Sequence, residues 1–313
     1  MYHGRTARPA EASRPGSRSG DMRTRFRHLV AIPWIALAIP CLRAAPLEAQ
    51  PHGRLVEQVL HTPSAGPAGR RVVVYRPAGY DAPEHARARY PLLVLLHGGP
   101  GNERDWVVQG RVDRRFDAWI AARLLPPFVA VMPNAEGPGR HRCSLYMDSA
   151  DGRWPVERFL VCDLLAWADR ALRVVRDVRW RAIGGLSDGA TGAVDLALRH
   201  PDRFGGAIGL SGEYEWKPGR GRAAILGRPP DDAARVARHS PLRYLPAISS
   251  AAREPRIFIG YRALARAGIA HASHLRAGSH EWLTWAAALK DGLVWLWGGH
   301  YTPRPPQHFR GAA

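Results

Sequence analysis

A short apolar segment, Trp180-Arg-Ala-Ile183, runs without a spacer into Gly184-Gly-Leu-Ser-Asp-Gly189, and residues 190–200 then carry helical periodicity. Few architectures accept that arrangement. A strand that gives way to a helix within a few residues does so at the end of a sheet, with the first helix N–H groups facing the turn. Ala190, Ala193, Val194, Ala197 and Leu198 form one apolar stripe, and Pro201 stops the helix. Gly185-Leu-Ser-Asp-Gly189 fits G-x-S-x-G, in which the glycines let neighbouring backbone pass close by while the turn lifts a serine hydroxyl above the sheet edge. The helix N-terminus favours negative charge developing beside that hydroxyl. Ser187 is therefore the candidate nucleophile. In a chain with 32 glycines the pentapeptide alone says little, and its place between strand and helix carries the reading.

The remaining chain supplies the sheet this turn needs. From Pro51 onward strand and helix signals alternate with no internal repeat, which predicts an α/β fold with a mostly parallel central sheet and helices on both faces. Residues 71–75 read as an early antiparallel strand. Residues 90–96 are a continuous apolar run, as a strand buried on both faces should be. Further strands are expected at 128–132, 207–210, 256–259 and 270–275, and helices at 116–124, 155–174, 262–267 and 281–296. Residues 215–246 are polar and turn-rich, and read as an excursion over the mouth of a site. One domain is expected over residues 51–298, with a loose tail over 299–313.

Two further motifs complete a constellation. His97-Gly-Gly-Pro-Gly101 ends the apolar strand in a turn. An acyl-transfer site needs two backbone N–H donors aimed at the developing oxyanion. One is expected from Asp188, the residue after the nucleophile, and the other from Gly99, because Pro100 has no N–H to offer. His97 reads as a residue holding the loop. His280 lies in Gly278-Ser-His-Glu-Trp-Leu-Thr-Trp285, between the last strand and the closing helix, from where an imidazole can project back over the serine as its base. The order Ser then His excludes the chymotrypsin and subtilisin arrangements.

This set of motifs resembles the esterase family of α/β hydrolases that includes the esterase D-like and feruloyl-esterase-like enzymes and the secreted mycolyltransferases. The similarity runs from about Val72 to Leu296 and takes in Ser144-Leu-Tyr-Met-Asp-Ser149 and His200-Pro-Asp-Arg-Phe204. The resemblance implies an α/β-hydrolase fold and cleavage of carboxylic esters, or acyl transfer to an alcohol, through a seryl acyl-enzyme. It implies no metal and no organic cofactor. The partner it implies is a small-molecule, lipid or sugar ester.

The sequence also departs from the family. Its third triad member usually follows the strand that corresponds to residues 256–259, yet no Asp or Glu occurs between Arg256 and His280. Three arrangements stay open. Glu213 or Glu215, in Leu210-Ser-Gly-Glu-Tyr-Glu215, could supply the acid from the end of the preceding strand, with Glu213 the first choice. The site could work as a Ser–His dyad. The chain could also be a binding homologue that does not turn over. A peptidase of this fold lacks support, because no propeller or extended cap domain is evident.

Charge and leader bound the partners and the compartment. The formal net charge is +18, but of 45 basic residues only Lys217 and Lys290 are lysine, and the arginines are scattered with no stripe interleaved with aromatics. That pattern argues against nucleic-acid binding. Residues 1–21 read as a disordered extension. Met22-Arg-Thr-Arg-Phe-Arg-His28, the apolar run 29–42 and the small residues Ala44, Ala45 and Ala49 read as a secretory signal, or else an N-terminal anchor, over 22–50. The run is too short to span a bilayer, so the mature chain is expected in the periplasm, envelope or medium, without a stable membrane span. Export would permit a disulfide between Cys143 and Cys162, with two unrelated cysteines the alternative.

Overall fold

The computed structural model describes residues 52–137, 144–217, 222–244, 256–259, 271–273 and 280–300, all within the unit Ala49–Ala313. The disordered extension, the leader, the helix expected at 262–267, Cys143 and most of the tail lie outside the described residues. Cys162 is an exposed free thiol.

Eight strands form one sheet in the order β1-β2-β4-β3-β5-β6-β7-β8. β1 (Arg54–Leu60) pairs antiparallel with β2 (Arg70–Arg76), and β2 pairs antiparallel with β4 (Val129–Pro133). From there the sheet is parallel through β3 (Leu92–Leu96), β5 (Arg181–Leu186), β6 (Gly206–Leu210), β7 (Arg256–Ile259) and β8 (His271–Ser273). β1 escapes the sequence reading because its face is half polar, and partial burial is what it shows.

Alternation along β3 divides two cores. Leu92, Val94 and Leu96 belong to one hydrophobic cluster, while Leu93 and Leu95 belong to the other. The first is covered by α3 (Val156–Arg158), a π-helical segment (Phe159–Leu164), α4 (Leu165–Ala171) and α5 (Asp188–Arg199). The second is covered by α1 (Asp105–Val108), α2 (Val112–Ala121) and α9 (Trp282–Trp297). The sheet is thus sandwiched between helical layers. Among the described residues no helix is long and apolar enough to cross a membrane.

Local chemistry moves several boundaries. The strand expected from residue 90 starts at Leu92, since Pro91 has no N–H and Tyr90 makes only an isolated bridge to Val174. α2 ends before the expected residue 124, because Arg123 takes a left-handed φ of 56°. The helix expected over 155–174 is realised as three consecutive segments and stops where Leu172 turns extended.

The described residues within 215–246 are more structured than their polar composition suggests. They contain α6 (Ala223–Leu226), α7 (Asp231–Arg238) and α8 (Pro241–Tyr244). Trp216, Ile225, Leu226 and Val236 close a third small core with Leu145 and Met147. In α7 Asp231 and Asp232 occupy the first turn and Arg235 and Arg238 the last, as the helix dipole favours.

A buried polar cluster fastens this excursion to α5. Arg199 donates from Nη1 to Glu157 Oε2 at 2.7 Å and lies 3.0 Å from His239 Nδ1, which itself stands 3.2 Å from Asp195 Oδ2, and Tyr244 donates its hydroxyl to Asp195 Oδ1 at 2.9 Å.

Candidate active site

Strand order reverses where β3 lies between β4 and β5, and the crevice outside the carboxyl ends of strands at such a point is where open α/β sheets bind ligands. Ser187 follows β5 at that edge. Its φ of 53° and ψ of −120° lie in a region that non-glycine residues rarely occupy. Neighbouring backbone holds it there. Its N–H donates to Leu210 O at 2.8 Å, and its carbonyl accepts from Ala190 N at 3.0 Å as α5 begins. The flanking glycines are demanded by crowding, since a Cβ on Gly185 would lie 2.3 Å from Gly189 O, and one on Gly189 would lie 2.3 Å from His97 O.

The loop after β3 runs alongside the serine. A Cβ on Gly98 would sit 3.5 Å from Ser187 Cβ and 2.7 Å from Leu186 Cδ1. Gly99 follows on the exposed part of this loop, and its bond to Pro100 is cis. Asp188 opens α5 as its first residue. The two expected oxyanion donors therefore stand on segments that flank Ser187.

His97 organises this loop. It is 4% exposed, and its Nδ1 lies 2.7 Å from Gly98 O while its Nε2 lies 3.1 Å from Ala135 N. A neutral ring with the proton on Nδ1 satisfies both contacts, and burial, which disfavours the charged form, lowers its pKa below the usual 6.5. The Tyr146 hydroxyl donates to His97 O, and the Trp106 indole donates to Leu96 O at 2.8 Å. Tyr146 lies in a motif the sequence singles out for resemblance alone, and the carbonyl it serves gives it a part in fixing the loop.

His280 is exposed, two residues before α9 begins. Its ring meets Trp285 edge-on with centroids 4.6 Å apart. Trp285 Nε1 donates to Ser211 Oγ at 3.0 Å, and Ser211, at a left-handed φ of 59°, directly follows the Leu210 whose carbonyl holds Ser187 N. His280 is thus tied through one indole to the end of β6, next to β5, the strand that precedes Ser187. Among the described residues no hydrogen bond joins it to Ser187.

The acidic candidates differ in their surroundings. Tyr214 and Trp216 point inward and are buried, which turns Glu213 and Glu215 outward. Glu215 accepts from Arg243 Nε at 2.8 Å, whereas Glu213 is exposed. Trp106 and Trp282 stack edge-on at 5.3 Å, and Trp282 and Trp285 at 5.4 Å, so the three tryptophans form one wall packed into the second core. Among the described residues no group of three or more His, Cys, Asp or Glu could hold a metal ion.

Fold and strained serine turn together define an α/β-hydrolase. The family model described as "Putative esterase" matches residues 67–296, and the chain belongs to that family. A curated relative, an endo-1,4-beta-xylanase/feruloyl esterase of Xylanibacter ruminicola, is 31% identical over 49% of this chain and 21% of its own length. The chain spans less than half the length of the first curated relatives it matches. Among solved structures, a ferulic acid esterase aligns at a TM-score of 0.68 with 24% identity, over 78% of this chain and 97% of that one. A fluorophosphonate-binding serine hydrolase of Staphylococcus aureus aligns at 0.62 with 19% identity, over 78% and 98%.

Proposed function

We propose that this chain is an exported serine esterase that cleaves carboxylic esters through a seryl acyl-enzyme. The observation that carries the reading is the backbone of Ser187, held at φ 53° and ψ −120° beside the loop of Gly98 and Gly99. Strain of this kind costs on the order of 1–3 kcal/mol and persists where the surroundings enforce it, characteristically at reactive groups.

In the proposed reaction His280 takes the Ser187 proton as the hydroxyl attacks the ester carbonyl. The N–H groups of Asp188 and Gly99 receive the oxyanion, and the helix N-terminus behind Asp188 adds to their field. His280 returns the proton to the departing alcohol. Water, or an acceptor alcohol in the transferase variant, then attacks the acyl-enzyme by the same route in reverse. Glu213 orients the imidazole. Its support is position, because it stands two residues beyond Ser211, which shares Trp285 with His280, while Glu215 is engaged by Arg243. The basic stretch and apolar run over residues 22–42 support export.

Labelling with a fluorophosphonate probe tests the reading without knowledge of the substrate. Label should reach the wild-type chain and fail on Ser187→Ala, with His280→Ala strongly slowed. A folded wild-type protein that takes no label, and hydrolyses no p-nitrophenyl acetate, would favour the non-catalytic alternative.

A further inference from the structure

A cavity of about 770 Å³ opens on the sheet edge that carries Ser187, beyond β4. Arg70, Arg71, Asn134, Glu136, Arg153 and Trp154 line it, together with the glycine- and proline-containing turn at residues 64–69. Arg70 opens β2, and the backbone N–H of Asn134, which follows β4, donates to Arg71 O at 2.8 Å, so the arginine pair stands beside the end of β4.

The charges around this cavity are unevenly matched. Arg71 donates from Nε to Glu103 at 2.7 Å, and Glu103 also accepts from Asn134 Nδ2 at 2.7 Å. Arg153 is 82% exposed and stands 3.8 Å from Asp151, so its charge is largely solvated. Arg70 is different. It is 7% exposed, and among the described residues its Nη1 reaches only the carbonyls of Asn134 at 3.4 Å and Glu136 at 3.1 Å, while its buried Nε has no hydrogen-bond partner there. The Phe159 ring lies 5.4 Å from its guanidinium carbon. The Glu136 carboxylate acts on it at longer range, and burial disfavours its charged form. A desolvated guanidinium whose contacts among the described residues are carbonyls and an aromatic ring is under-compensated, and an anion entering the cavity would supply the missing charge. Trp154, 38% exposed at the rim between Arg153 and Pro155, adds a flat apolar surface suited to a ring.

We infer that this cavity is a binding site for a small carboxylate borne on a ring, with the carboxylate on Arg70 and the ring against Trp154. The site does not depend on the hydrolytic reading. An aromatic acid and an acidic sugar share the required chemistry, and two probes separate them.

Titration calorimetry of the full chain would use benzoate and glucuronate, each against its neutral counterpart, benzyl alcohol and glucose. At least one acid should bind, about tenfold or more tighter than its counterpart. Benzoate alone would identify an aromatic ligand, and glucuronate alone a sugar. Trp154→Ala and Arg70→Gln should each weaken that acid by about tenfold, and the acid should raise the Tm of the wild-type chain but not of the variants. Trp154 is partly exposed, so its variant keeps the test open if Arg70→Gln fails to fold. The inference is overturned if neither acid binds, if the neutral counterparts bind as well, or if folded Trp154→Ala binds the acid unchanged.

Discussion

Trp285 donates its indole N–H to the Ser211 hydroxyl at 3.0 Å, and the same ring meets the edge of His280. One side chain on α9 therefore joins the end of β6 to His280. Trp285→Phe keeps an aromatic edge for His280 but removes the donor and one ring of the buried indole, at a cost of about 2–3 kcal/mol in stability. Trp285→Leu removes the edge as well, and a misplaced base costs on the order of a hundredfold in rate. Comparing kcat/KM for p-nitrophenyl acetate with urea stability in both variants checks this. Equal rate losses would show that His280 does not take its position from the ring.

The strained turn makes activity and stability move apart. Ser187→Gly deletes the hydroxyl and relieves the left-handed φ, whereas Ser187→Ala deletes the hydroxyl and keeps a Cβ there. Both variants should lose hydrolysis. The glycine variant should be more stable than the alanine variant by about 1 kcal/mol, read from denaturant midpoints at equal slope. An alanine variant as stable as the glycine one would mean the turn stores no strain.

Much of this site is visible in the sequence, because each motif carries its own local reason. Gly185 and Gly189 mark a backbone approach that only glycine tolerates, and Pro100 excludes itself as a donor. The positions of His280 and Glu213 relative to Ser187 are legible only in outline, since they depend on how α9 and the end of β6 pack. The Trp285–Ser211 bond joins residues far apart in the chain and leaves no periodic trace. The same holds for the helices over 222–244. Their core draws on Leu145 and Met147 as well as on their own residues, so no window of the chain displays it. β1 goes unread for another reason, as an edge strand with a mixed face resembles a loop.

Two buried groups set separate acid limits on the fold. Burial alone would raise the Glu157 carboxyl, but hydrogen bonds from His200 and Arg199, with the charges of Arg199 and His239, pull it down from 4.5 to about 2. Its folded pKa is depressed, so its stabilisation, about 3 kcal/mol, is complete above pH 4.5 and is lost as pH falls towards 2. His97 is held neutral by burial, with its pKa below 6.5. Its share is intact above that pH and declines below it, because the unfolded chain then binds the proton more readily. Unfolding free energies of the wild type should fall in both windows. Glu157→Gln should flatten the window between 4.5 and 2 while lowering stability at neutral pH by about 3 kcal/mol. A variant that keeps the wild-type slope there would assign acid lability to other carboxylates.

The two glutamates after β6 offer the sharpest test of how the imidazole is oriented. Glu215 is engaged by Arg243 at 2.8 Å, so Glu215→Gln should leave kcat within about threefold and cost under 1 kcal/mol, as exposed ion pairs do. Glu213→Gln removes the proposed partner of His280 and keeps the side-chain volume. Where such an acid fixes the tautomer, its loss lowers kcat by up to about four orders of magnitude with little change in KM. Steady-state kinetics of both variants separate the arrangements. A drop confined to Glu213→Gln supports a triad completed from β6. Unchanged turnover in both would leave His280 working with Ser187 as a dyad, its ring steadied by Trp285 alone.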